Sequence, residues 1–504
     1  MTEIRTEIPP APGTASAAPE HDPHHSKRWL ILAVIGLAQL MIVLDVSIVN
    51  IALPDAQKDL GFSIGDRQWI ITAYSLAFGS LLLLFGRISD LIGRRTTFLV
   101  GLVAFAGASF LGGVAPNFEI LVLARALQGA AGAILAPAAL SLLTTTFTEA
   151  KERATAFAVF GGIAGSGAAI GLLLGGVLTE YLNWRWTLFV NVGISVLAIA
   201  GAATLIPRQQ KAAQRPKLDL LGAGLISAGL FGIVYGFSNA DTHAWSAPST
   251  WGFLAAGVVL IASFVAWQTR APHPLLPLRV LRDRNRSGSF LAVFIVGIGM
   301  FGVFLFLTYY LQEVLRYSPV QTGLAFLPMV AVLMFASTMT NIKLLPKFGP
   351  KILAFVGMLV AAGGMVWLTG IDLHSSYAAN ILGPLLIVGL GIGAVMAPSM
   401  NTATAGVQPA DAGVASATVQ TMQQIGGSVG TSLLNTLAAS ALTAYLVGRA
   451  PTALNLANAS IHSYITAFWW AAGIFAAGAV ICGLLLRPGP PAPADPNATP
   501  AVHA

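Results

Sequence analysis

Two charged side chains stand deep inside apolar runs of this sequence, Asp45 in the first and Arg125 in the fourth. A charge at the centre of a bilayer costs roughly 3 kcal/mol on insertion scales, so such a residue faces a partner or a polar passage. Asp45 lies about 14 Å below the outer end of its run and Arg125 about 9 Å below the same end. The two therefore occupy nearly one layer with opposite sign. A carboxyl group in that setting can take up and release a proton. Desolvation favours its neutral form and a neighbouring guanidinium favours its charged form. Movement between two such environments would couple proton flow to the flow of something else. A static ion pair that fixes helix packing is the competing reading. By the internal repeat described below, the second-half counterpart of Arg125 is Leu386, so the charge is not a feature of both halves.

Other chemistry is missing. No Lys follows a Gly, which rules out a phosphate-binding Walker loop. No His/Cys spacing suggests a metal, and no catalytic constellation is evident. We expect neither an enzyme nor a cofactor, with energy drawn from a proton gradient. The single cysteine, Cys482, reads as a small buried hydrophobe.

The elements that must carry this pair are membrane helices. Of 504 residues, 56% are hydrophobic and 9% charged, against about 25% charged in soluble domains. Apolar runs of about 20 residues recur, the length that crosses the hydrocarbon core as a helix. The first begins at Trp29 and reads as an uncleaved signal anchor. The expected fold is an all-α membrane protein of fourteen transmembrane helices. Fourteen is even, so both termini lie on one side. If that side is cytoplasmic, it holds 21 of the 27 basic residues and the other side five. Such a bias sets orientation and argues for a multi-pass protein of the cytoplasmic membrane rather than a nucleic-acid binder.

The chain also repeats itself. Gly132–Pro137 (GAILAP) matches Gly393–Pro398 (GAVMAP), and residues 163–166 (IAGS) match 425–428 (IGGS). The turn at Gly93 matches one at Gly349. The offsets of 261, 262 and 256 imply two parallel halves of six helices around a two-helix insertion, a 6+2+6 arrangement. Parallel repeats place a substrate site between the halves near the bilayer midplane. The expected divisions are a disordered tail (1–28), a first half (29–206), the inserted pair with a basic linker (207–286), a second half (287–487) and a second disordered tail (488–504).

Between the second and third spans the sequence reads Gly86-Arg-Ile-Ser-Asp90-Leu-Ile-Gly93-Arg94-Arg95. Gly93 permits the tight turn, and Asp90 can pair with basic residues or cap a neighbouring helix N-terminus. Such a latch would close the inner end of the protein. This loop resembles the signature of the major facilitator superfamily. Leu123–Gly129 (LARALQG) is similar to its fourth-span motif. Leu44–Pro54 (LDVSIVNIALP) is similar to the first span of the fourteen-span drug:proton antiporters, the EmrB/QacA type. Residues 310–319 and 323–328 resemble that family's ninth-to-tenth junction. The resemblance covers about residues 29–487 and implies a major facilitator fold. It also implies proton-coupled efflux of lipophilic or cationic drugs or antibiotics by alternating access, the activity that confers antibiotic resistance. Leu91 replaces a frequent Arg. The span-5 antiporter motif keeps Gly167, Gly171, Gly175 and Gly176, which suit close helix packing, but lacks its helix-kinking Pro, with Leu172 there instead.

Asp45 and Arg125 are thus the expected proton-coupling residues, with Asp45 at the mouth of a vestibule between the halves. Asn50, Tyr74, Gln128, Asn401, Gln420 and Gln424 are polar candidates for the substrate cavity, with helix-to-helix hydrogen bonding as the alternative for each. Glu313 is a candidate secondary acid or an interfacial anchor. The expected partners are a small-molecule substrate, protons and lipid, for a monomer. Transport of one particular metabolite and a transporter-like membrane sensor are the competing functions. The short tails speak against the sensor.

Overall fold

The computed structural model describes residues 27–62, 67–207, 218–240, 247–408, 411–450 and 452–490. Both expected tails, except for residues 27–28 and 488–490, and residues 208–217 ahead of the inserted pair lie outside the described residues. Every regular element among the described residues is helical. In hydrocarbon each backbone N–H and C=O must be satisfied within its own segment, which apolar helices achieve.

The first helices are α1 (Arg28–Leu60), α2 (Arg67–Ile92), α3 (Arg94–Gly113), α4 (Phe118–Thr146), α5 (Ala150–Tyr181) and α6 (Trp186–Leu205). Next come α7 (Leu220–Ala240), α8 (Pro248–Gln268) and a short α9 (Arg279–Arg282). The remainder are α10 (Arg284–Tyr309), α11 (Pro319–Met339), α12 (Leu345–Leu368), α13 (Leu382–Thr404), α14 (Ala412–Leu446) and α15 (Ala453–Leu485). Local sequence fixes many ends. Asn117 caps α4 by accepting the Ile120 N–H at 3.0 Å, and Ser318 with Gln321 forms a capping box ahead of Pro319 on α11. Gly93 (φ 99°) and Gly349 (φ 74°) adopt left-handed backbone at equivalent turns, a conformation that favours glycine.

Eleven helical runs, or twelve with the bent α5, are long and apolar enough to cross a membrane, against the fourteen expected. The difference has physical causes. Val320–Leu368 is one continuous run that contains both α11 and α12. α14 carries Ser, Thr, Gln and Gly through much of its length and is almost wholly buried from Ala412 to Thr421, so it need not be lipophilic. The two parts of α5, Lys151–Ala164 and Ala169–Tyr181, lie at 45° to each other although the kinking Pro is absent. The intervening Gly165-Ser166-Gly167 accounts for the bend, since Gly/Ser pairs weaken the helix ladder.

The packing is pairwise and repeats. α1 packs on α5 and α6, α2 on α4, and α3 on α4 and α6. In the same order, α10 packs on α14 and α15, α11 on α13, and α12 on α13 and α15. Two seams join the groups, α5 against α11 and α2 against α14. α7 lies along α2 and α14 and carries α8 on its far side, so the inserted pair covers one seam only. Ser432 on α14 donates to the Phe237 carbonyl on α7 at 2.7 Å.

Small residues let α1 and α5 approach closely. A methyl group at Gly167 would strike Val43, one at Gly171 would strike Ser47, and one at Gly175 would meet Ile48. Gly176 is buried beside them. Cys482 is also buried.

Candidate functional site

The site grows from α1 outward. Asp45 is 0% exposed and Arg125, on α4, is 2% exposed. Arg125 Nη1 donates to Asp45 Oδ2 at 2.5 Å. The expectation of one shared layer therefore resolves into direct contact. One helical turn beyond Arg125, Gln128 serves both partners. Its Oε1 accepts from Arg125 at 2.8 Å, and its Nε2 donates to Asp45 Oδ1 at 3.1 Å and to Ser109 Oγ at 2.8 Å. From α6, Asn191 Nδ2 donates to Asp45 Oδ1 at 2.7 Å. Arg125 Nε donates to the Ile70 carbonyl at 3.3 Å, and the guanidinium lies 4.5 Å from the centre of the Tyr74 ring. A buried charge pair is tolerated only when further hydrogen bonds satisfy its remaining lone pairs and protons. Gln128, Asn191 and the Ile70 carbonyl, from α4, α6 and α2, do that here.

One expectation needs correction. Asp45 is not at the mouth of a vestibule between the groups. It is enclosed within the first group because α4 and α6 fold over it. Gln128 and Tyr74, two of the cavity candidates, both face the ion pair here. Gln128 belongs to the shell of the ion pair, and Tyr74 (2% exposed) forms the aromatic floor under Arg125. Asn191 and Ser109 escaped the sequence reading. Their one signal was a polar residue within an apolar run, which many packing residues share. A cavity of about 10 Å³ borders Arg125, with Val49, Leu53, Thr187 and Leu188 in its wall. It has room for about one water.

The remaining candidates are dispersed. Asn401 joins the groups, since Arg153 on α5 donates to Asn401 Oδ1 at 3.1 Å and to Thr404 Oγ1 at 3.1 Å. Asn401 donates in turn to Asn341 Oδ1 at 3.1 Å, and Asn341 donates to the Ala154 carbonyl at 2.7 Å. Asn401 is thus part of a bridge between the groups. Gln420 is buried on α14, and Gln424 is half-buried opposite Gly79 of α2. The side chain of Asn50 lies outside the described residues. Glu313 is exposed and accepts from Tyr464 at 2.7 Å, far along the chain from the Asp45 network.

The loop motif gathers at the other seam. Asp90 Oδ1 accepts the Gly413 N–H at 3.0 Å, at the start of α14, and lies 3.8 Å from Arg94. Gly86 and Gly413 let α2 and α14 cross with their backbones almost touching. Arg95 donates to the Ala203 carbonyl at 2.7 Å, tying the loop to α6. These contacts, and those of Arg153, lie at the end of the bundle where α1 and α5 begin. Arg28 pairs there with Glu152. We refer to this end as the basic face. Both seams are bridged at it.

Helices with this apolarity, in two similarly packed groups with an acid–base pair enclosed in the first, and the family match that follows define a multi-pass membrane transporter. The chain belongs to the Major Facilitator Superfamily, which residues 35–431 match. It is 46% identical to the puromycin resistance protein pur8 of Streptomyces alboniger, over 96% of this chain and 95% of that protein. It is 38% identical to the cephamycin export protein CmcT of Amycolatopsis lactamdurans, over 80% and 83%. The multidrug efflux pump LfrA of Mycolicibacterium smegmatis is 33% identical over 82% and 81%. Among solved structures, the proton:xylose symporter XylE aligns with a TM-score of 0.63 at 14% identity, over 92% of this chain and 96% of that one. The human organic anion transporter MFSD10 aligns with a TM-score of 0.60 at 16% identity, over 91% and 99%. These two likenesses concern the fold.

Proposed function

We propose that the protein exports an antibiotic or another lipophilic or cationic drug from the cell in exchange for protons. The two helix groups, residues 29–206 and 287–487, alternate access to a site between them. All the helices except α9 span the membrane, fourteen in number. The basic face is cytoplasmic, with both termini on that side. The drug class rests on the relatives, which are named for resistance, export and multidrug efflux.

Proton coupling rests on one observation, the fully enclosed carboxylate of Asp45 against Arg125. Three donors meet Asp45, one each from Arg125, Gln128 and Asn191, and Arg125 supplies its counter-charge. Separation of Asp45 from Arg125 would leave a buried carboxylate without its counter-ion, and a proton is the partner proposed to take that place. With both seams bridged at the basic face, this conformer is the one closed to the cytoplasm. The loop motif, Gly86 to Arg95, acts as the cytoplasmic gate. The α1–α5 glycines act as a packing joint.

The test is an everted-vesicle assay. Addition of a transported drug collapses the pH gradient across vesicles bearing the wild type. Asp45→Asn vesicles do not respond, although the protein is present in the membrane. A normal response from Asp45→Asn would reject this residue as the coupling site. A second reading, export of one compound only, draws on relatives named for single antibiotics. A susceptibility panel in an efflux-deficient host separates the two by how many compounds lose potency.

A further inference from the structure

The start of α14 is capped by the wrong aspartate. Asp411 occupies the N-cap position of this helix, yet its side chain makes no capping bond. An N-cap carboxylate ordinarily accepts from the second or third N–H of its own helix, here Gly413 or Val414. Asp90 has taken that role from across the seam, accepting the Gly413 N–H at 3.0 Å. Asp411 is turned to Arg279 on α9, whose Nε and Nη2 both donate to Oδ2 at 3.0 and 2.8 Å. The Asp411 side chain is 4% exposed and that of Arg279 is 60% exposed. Arg286, which follows on α10, donates to the Ala405 carbonyl at 3.3 Å and so stays beside the same turn.

We propose that Asp90 and Asp411 exchange as the cap of α14, and that Arg279 sets the exchange. While the basic face is closed, Arg279 holds Asp411 aside and Asp90 satisfies the helix start. As the groups part, Asp90 leaves with α2 and exposes the Gly413 N–H. Asp411 then swings from Arg279 onto its own helix and replaces the lost bond. The start of α14 is capped in both states, which lowers the cost of opening. Two carboxylates cannot both serve one N–H without repulsion, so the guanidinium that occupies Asp411 favours closure. The linker after the inserted helix pair thereby acts on the gate. This device rests on the alternating-access reading, because it requires two states of the seam.

The exchange differs from a simple ion pair in the sign of its mutant effects. A pair that merely pins the linker loses the same contact whichever partner is removed. Under exchange, the two removals act in opposite directions. Spin labels at Lys151→Cys and Lys347→Cys, both exposed near the basic face, read the separation of the groups by electron–electron distance measurement. The native Cys482 is buried and stays in place, with single-label controls. Wild-type protein should give a close and a separated population. Arg279→Ala should raise the separated-to-close ratio about fivefold, the size of one helix cap. Asp411→Ala should lower it by a similar factor, with Asp411→Leu as a second variant if the first accumulates poorly. The double variant should follow Asp411→Ala, and Arg279→Lys should stay near wild type. Shifts of the same sign from the two single variants, or no shift from either, would overturn the exchange. One fixed distance in every variant would overturn alternating access and the exchange together.

Discussion

Asn191 and Arg125 grip opposite oxygens of one carboxylate, at 2.7 Å on Oδ1 and 2.5 Å on Oδ2 of Asp45. The acid of α1 is therefore held from α6 by a neutral donor and from α4 by a cation. Loss of the charge and loss of the side chain should separate cleanly. Asp45→Ala leaves a buried guanidinium without its counter-ion, a defect of about 3–5 kcal/mol. Asp45→Asn keeps an oxygen acceptor for Arg125. Thermal unfolding in detergent should rank wild type above Asp45→Asn and Asp45→Asn well above Asp45→Ala, with transport absent from both variants. Equal unfolding temperatures for the two variants would contradict this account of the shell.

Asn191→Leu tests the neutral arm. It removes one donor from a buried carboxylate, a loss on the order of 1.5–3 kcal/mol for a bond to a charged group. Ser109→Ala removes only a partner of Gln128 and should cost about 1 kcal/mol. A melting series with both variants checks the order.

The α1–α5 joint should resist even a single methyl group. Gly171→Ala drives a carbon into Ser47, and overpacking of this kind costs about 1–3 kcal/mol. Gly193→Ala on α6 is the matched control, since nothing lies within 4 Å of the added carbon. The fraction of monodisperse protein after mild heating should fall for the first variant and hold for the second.

Outside the membrane, Asp219 provides a pH signature. Burial pushes its carboxyl upward, but donors from Gly222, Trp267, Gln268 and Leu275 outweigh it and hold the group below the ordinary value of 3.8. A group depressed in the folded state stabilises above its unfolded value and loses that contribution as pH falls through its folded value. The stability difference between wild type and Asp219→Ala should be full at neutral pH and shrink as pH drops below about 3.8. Melting temperatures taken in parallel across that range give the comparison. A gap that widens in acid would reverse the sign.

Arg153 bridges α5 to α13 through neutral acceptors. Arg153→Met should keep the stacking bulk over Phe157 while removing the bonds to Asn401 and Thr404. Thiol-reagent labelling of a cysteine at Ala154, buried behind this bridge, should then accelerate several-fold. An unchanged rate would show that this bridge does not shield the α5–α13 contact.

The sequence exposed what deviates from its surroundings. Asp45 and Arg125 are charges where neighbours are apolar, and their layer followed from helical rise alone. Asp90 was legible because a short charged loop has few structural solutions. The direction in which a polar side chain turns was not legible. Tyr74, Gln128 and Asn401 looked alike as polar groups in apolar runs, and only the packing of other helices sent them to an ion-pair shell or a bridge. The bend of α5 was hidden because proline is the stronger cue for a kink. α14 does not stand out as an apolar run because its neighbours cover its polar stretch.

The inserted pair gives the molecule a front and a back toward the bilayer. α7 and α8 stand over the α2–α14 seam, whereas Val177, Leu324, Met334 and Phe335 beside the α5–α11 seam are exposed. A compound dissolved among the lipid tails meets a doubled wall on one flank and a bare joint on the other. Bulky substitutions at Leu324 or Phe335 would crowd that joint where matching changes on α8 would not.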